Sequence, residues 1–164
     1  MDATKYGNNF QEHLLEQYKL YVQMADNISV RRSQANQFYI SLLSALLAVV
    51  ALVAKLYGGG QNARPDLVNI SFLAITMLAL ILCIIWFLNL LSYRQLNSGK
   101  FKVIHEIEAQ LPYACYDREW DLLGRGKDWR EYLSLTTIER YVPVIMGIPF
   151  AIAFLYALYK IIIP

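Results

Sequence analysis

With 164 residues, 57% of them hydrophobic and 17% charged, the chain is expected to form a single membrane domain and is more apolar and less charged than an average soluble domain. The formal net charge of +2 is not gathered into a basic stripe with interleaved aromatics, which excludes the usual footprint of a nucleic-acid partner. Cys83 lies in an apolar run and Cys115 in a polar one, so the two are expected at different depths and unpaired.

The first 37 residues are polar and lack the apolar core of a secretory signal, so no cleavable targeting segment is expected. Within them Leu14, Tyr18, Tyr21, Ala25 and Ile28 recur at steps of four, three, four and three, the spacing of an apolar helical seam. Two heptads of mostly Tyr and Ala are too few to specify a coiled coil, and the seam is read as packing on another cytoplasmic helix.

The helix then meets Arg31 and Arg32 and enters a run, Ser33 to Ala54, without a charged side chain. Residues 38–57 give a first span of about 30 Å at a rise of about 1.5 Å per residue, the thickness of a bilayer core. Ser41, Ser44, Ala45, Ala48 and Ala51 fall three or four apart, and small side chains at that spacing let another backbone approach closely in lipid. Two readings fit Ser41, Ser44, Ala48 and Ala51: a helix-association face, or the lining of a water-filled path in an oligomer. Lys55 and Tyr57 mark the far interface, and Gly58 to Asp66 forms a short turn between antiparallel helices.

The second span, 67–93, exceeds what a straight crossing needs, so it tilts or projects beyond the membrane. Trp86 and Tyr93 read as an interfacial aromatic belt beside Arg94, with Asn89 meeting either water or a neighbouring helix. The segment 94–140 carries eight Lys or Arg and eight Asp or Glu among apolar residues, and reads as a cytoplasmic helical segment. Its first part continues the second span to a stop at Pro112; short helices follow around Asp117 to Leu123 and Asp128 to Leu133. Forty-seven residues are marginal as an independent core, so the segment is expected to pack on the N-terminal helix. Thr136 and Glu139 have capping-box spacing before a third apolar run within 141–164 that is long enough to span, with a bend expected at Pro149.

Lys and Arg count four in the N-terminal segment, two in the first loop, eight in the second and one at the C-terminal end. Three spans therefore set twelve against three. Arg31, Arg32, Arg94 and Arg140 mark the cytoplasmic boundary, the N-terminus lies inside and the C-terminus outside. His13 with Glu16, and His105 with Glu108, stand three apart on a helical face beside Glu12 and Glu106. That spacing can bind metal in helical bundles, but surface ion pairing is the simpler reading. No catalytic or nucleotide-binding motif is present and no span has a charge at its centre, so no enzyme, cofactor or metal is predicted.

The runs YVQMADNISVRRSQANQFYISLLSALLA, FKVIHEIEAQLPYACYDREWDLL and TTIERYVPVIMGIPF resemble the RipA family of octameric bacterial membrane proteins over most of the chain. More loosely, the N-terminal helix and first two spans are similar to SLATT domains, two-span membrane effector modules. The first resemblance implies a homo-oligomer, of eight subunits, in the bacterial cytoplasmic membrane, linked to stress adaptation and host interaction. The second implies a pore or membrane-disrupting output, although this chain has a third apolar run and no fused sensor. The sequence thus points to an all-α, three-span protein with a cytoplasmic helical region. Its expected partners are copies of itself, membrane lipid and an unknown cytoplasmic partner or ligand. Two functions are open: a pore gated by the cytoplasmic region, or a non-conducting scaffold that recruits partners.

Overall fold

The computed structural model describes residues 6–57, 65–127, 130, 132 and 135–162. Among these the elements are α1 (Phe10–Tyr57), α2 (Pro65–Glu108), α3 (Cys115–Leu122), a 3-10 turn (Gly124–Gly126), α4 (Leu135–Glu139) and α5 (Tyr141–Ile162), with no strand. Three helices among the described residues are long and apolar enough to cross a membrane, as the hydropathy pattern predicts. The protein is an all-α, three-span protein.

No proline or glycine interrupts α1, and its 48 residues make about 72 Å at about 1.5 Å per residue. That is more than twice the ~30 Å bilayer core, so the same helix supplies the polar seam and the first span. α2, with 44 residues, begins at Pro65, where a missing backbone N–H costs nothing because the first turn has no partner for it. It ends at Glu108, ahead of the expected stop at Pro112: the Gln110 and Leu111 amides donate to the carbonyls of Ile107 and Glu108 at 3.0 Å, a tightened last turn before the proline. α5 passes through Pro149 without a break. Thr136 lies inside α4, so its spacing to Glu139 does not open the last span, which starts at Tyr141. The glycine turn at 58–60 lies outside the described residues, and so does most of the helix expected around Asp128 to Leu133.

The chain divides into two compact units. The first is drawn from Met1–Ser33 and Ser92–Thr137, so the two polar segments pack together as expected. Leu14, Ala25 and Ile28 of the seam are buried, Tyr18 and Tyr21 are half-buried, and Ile104 of α2 is fully enclosed. The Lys100 ammonium sits 5.1 Å over the Tyr21 ring, and Phe101 meets Tyr116 edge to face at 5.5 Å. After α3 the backbone turns left-handed through Gly124 (φ 61°), Arg125 (φ 52°) and Gly126 (φ 66°). Arg125 is held there by its Nε–H donating to Asp121 Oδ1 at 2.6 Å. Glycine suits position 126 twice over, because a Cβ would also lie 3.1 Å from the Trp120 ring.

The second unit is drawn from Gln34–Leu91 and Ile138–Pro164. Its core is Tyr39, Leu43, Val50, Ala79, Cys83, Trp86, Leu90 and Phe150. The polar groups inside it are satisfied: Thr76 Oγ1 donates to the Phe72 carbonyl at 2.8 Å, and Trp86 Nε1–H donates to Asn36 Oδ1 at 2.9 Å. Trp86 stacks on Tyr39 at 5.5 Å, and Asn89 Nδ2 donates to the Tyr39 hydroxyl at 3.3 Å. Trp86 is therefore a core residue and not part of an interfacial belt: its indole N–H finds an acceptor inside the bundle, which removes the reason to sit at the water boundary.

Candidate functional site

Two features of the described residues can carry function: the outward face of α1, and a buried carboxylate in the first unit. On α1, Tyr39, Leu43 and Val50 turn into the core of the second unit. The opposite side leaves Ser41, Ser44, Ala45, Ala48 and Ala51 exposed. At steps of three or four the same line runs through Gln34, Gln37, Ser41, Ser44, Ala48, Ala51 and Lys55, all exposed. The exposed positions of α2 and α5 are mostly large aliphatics such as Met77, Ile81, Ile84, Leu88, Ile145, Ile148 and Leu155, which suit lipid tails, although α2 also exposes Ser71 and Ala74, and α1 flanks its small-residue line with exposed Phe38, Val49 and Leu52. The small and polar side chains of α1 thus form a face that intrachain packing does not use.

Of the boundary arginines, Arg31 and Arg94 are exposed and Arg32 and Arg140 are half-buried. The Arg140 guanidinium lies 5.4 Å from the centre of the Tyr141 ring, an aromatic contact at the first residue of α5.

The buried carboxylate is Glu108, whose side chain is wholly enclosed. Its Oε1 accepts from the Tyr18 hydroxyl and from the Tyr116 amide, each at 2.9 Å, and its Oε2 accepts from the Asp117 amide at 3.2 Å. Tyr116 and Asp117 are the second and third residues of α3, and Ala114 at its N-cap position has no side chain to satisfy their amides. Glu108 therefore caps α3 from another helix, with a negative charge where the helix dipole favours one. Burial, and then the hydrogen bond to Glu108, push the Tyr18 phenol well above its ordinary range; burial also raises Tyr116, with Asp26 and Glu119 adding repulsion. His105 Nδ1 lies 3.6 Å from Glu108 Oε2 and 3.8 Å from Asp117 Oδ1. The His105 and Glu108 pair is thus brought together, but in a buried capping site and not as a surface ion pair. His13 instead meets the Tyr6 hydroxyl at 2.7 Å. Among the described residues no group of His, Cys, Asp and Glu has the arrangement of a metal site.

The family model described as the octameric membrane protein family (8xMP) matches residues 15–159. The chain belongs to this family. As an 8xMP protein it is a membrane protein that assembles with copies of itself. The match takes in the N-terminal seam from Tyr18 onward, the Glu108 site, the apolar runs of the first two spans and the third span up to Tyr159. Searches of curated proteins and of solved structures returned no match.

Sequence reasoning singled out the α1 face but missed the capping role of Glu108 and the network of Asn36, Tyr39, Trp86 and Asn89. A signal for the network was present, because Asn36 and Tyr39, and Trp86 and Asn89, are each spaced by three and share a helical face. For Glu108 the signal was indirect: α3 starts after an alanine, so its free amides needed an acceptor from elsewhere.

Proposed function

We propose that eight copies of the chain form a ring in a bacterial cytoplasmic membrane, and that the ring is a conduit lined by the outward face of α1 and controlled by the first unit. The observation that carries this reading is the exposure of Gln37, Ser41, Ser44, Ala48 and Ala51 along one line of a membrane helix whose other side is packed. Hydroxyls and amides aimed at lipid would be costly, whereas a neighbouring helix or a file of water satisfies them. The excess of Lys and Arg in the two polar segments supports a cytoplasmic N-terminus and first unit, with the C-terminus outside. The protein acts in this reading without enzymatic chemistry.

A second reading has its own support. No charged side chain occurs from Ser33 to Ala54, so an α1-lined path would carry a charge only at its far end, at Lys55, and lack a charged ring within the span. Tyr113, Trp120 and Leu122 are exposed in the first unit and offer an apolar contact surface. A non-conducting scaffold that recruits a cytoplasmic partner fits both facts.

Reconstitution separates the two. Purified protein in liposomes is expected to pass ions or a small dye, and Ser41→Ala with Ser44→Ala is expected to change the rate. No flux under any pH or ligand tested would favour the scaffold.

A further inference from the structure

We infer that an apolar cleft in the second unit is the socket into which a neighbouring copy of the chain inserts. The cleft has a volume of ≈ 450 Å³ and opens outward between Leu47, Val50 and Ala51 of α1, Phe72 of α2, and Ala153 and Tyr156 of α5. In a bilayer, hydrophobicity alone does not choose between a lipid tail and a helix, because tails are as apolar as leucine; closeness of packing does. Alanines at 51, 54 and 153 keep the cleft walls low, so a rigid neighbour can seat deeply there.

Three further facts make that neighbour a second copy. The protein assembles with itself, so some face of each subunit must be covered by another. A closed ring joins subunits through two different patches, one on each partner, and a concave patch calls for a convex one. Ala51 belongs both to the cleft and to the outward line of α1, so the socket borders the one face of that helix that carries small side chains and that intrachain packing leaves open. For the convex patch, Ile70 and Met77 of α2 are more than half exposed and lie within about five residues of Phe72, at the depth of the cleft. The inference rests on self-assembly and is independent of whether the ring conducts.

The test places a benzophenone amino acid at position 54 of the full chain and irradiates cells that express it. The expected product is an adduct of twice the chain mass, mapped to a membrane helix of the second copy. Native mass measurement on the same preparation reports assembly separately. An intact oligomer whose position-54 probe labels only lipid or its own chain overturns the socket and leaves assembly standing. A monomeric mass overturns both. As a second variant, Ala153→Trp fills the cleft. It is expected to lower the assembled fraction roughly tenfold at equal concentration, with helix content by circular dichroism unchanged. An assembled fraction equal to that of the unaltered chain, at native helix content, also overturns the socket.

Discussion

Tyr18 and Glu108 stand ninety positions apart in the sequence and meet at 2.9 Å. Burial disfavours a charged phenolate, and the phenol also donates to a carboxylate inside the unit, which an ionised phenol could not do, so its proton is held firmly. A phenol whose folded pKa lies above its unfolded value of about 10 contributes stability that is fully present below about pH 10 and lost as pH rises beyond it. Melting curves of the detergent-solubilised protein between about pH 8 and 11 are therefore expected to fall at the alkaline end. Tyr18→Phe, which has no proton to lose, is expected to be less stable at pH 8 but to fall less steeply. Parallel curves for the two proteins would refute the assignment. Nothing local in the sequence distinguishes Glu108 from Glu106, one of which is enclosed and the other exposed. The difference is made by a tyrosine on another helix, and helical periodicity carries no information about so distant a partner.

At the scale of elements, α3 is eight residues long and has no buried residue of its own, so packing does little to hold it. An isolated helix of that length is marginal in water, and its start depends on the carboxylate that receives two of its amides. Replacing Glu108 by Ala leaves those amides without their acceptor, at about 1–3 kcal/mol for each that stays buried. Hydrogen exchange should then rise across residues 115–122 while the spans keep their protection, and unchanged exchange in α3 would sink the capping role. The longer elements were far more legible. The seam of Leu14, Ala25 and Ile28, the first span and the continuity of α1 all follow from a 3.6-residue period with no glycine or proline in the way. Trp86 was misplaced because an aromatic near the end of an apolar run suits a lipid interface as well as a core, and only the acceptor on Asn36 decides between them.

For the whole molecule, sequence composition and the positions of Lys and Arg reach the architecture, because a bilayer permits few ways to hide a backbone. They do not reach the assembly geometry, since subunit contacts in lipid depend on shape and not on hydrophobicity. Ser44→Leu with Ala48→Leu places two bulky side chains on the outward line of α1, and native mass measurement should show smaller assemblies than the unaltered protein. An unchanged mass would remove that face from the interface. A compartment-sensitive reporter fused after Pro164 is expected to read an external location, and a cytoplasmic signal would reverse the orientation drawn from twelve cytoplasmic cations against three.

The two free cysteines differ in a way that is useful at the bench. Cys83 is buried, with Gly147 packed over it, whereas Cys115 is exposed at the first residue of α3. A maleimide dye or spin label applied to the native chain should therefore settle on one thiol per subunit, beside the amides that Glu108 holds. The wild-type sequence thus supplies its own single-site reporter, able to read the loosening of α3 and, through label-to-label distances, the spacing of subunits around the assembly.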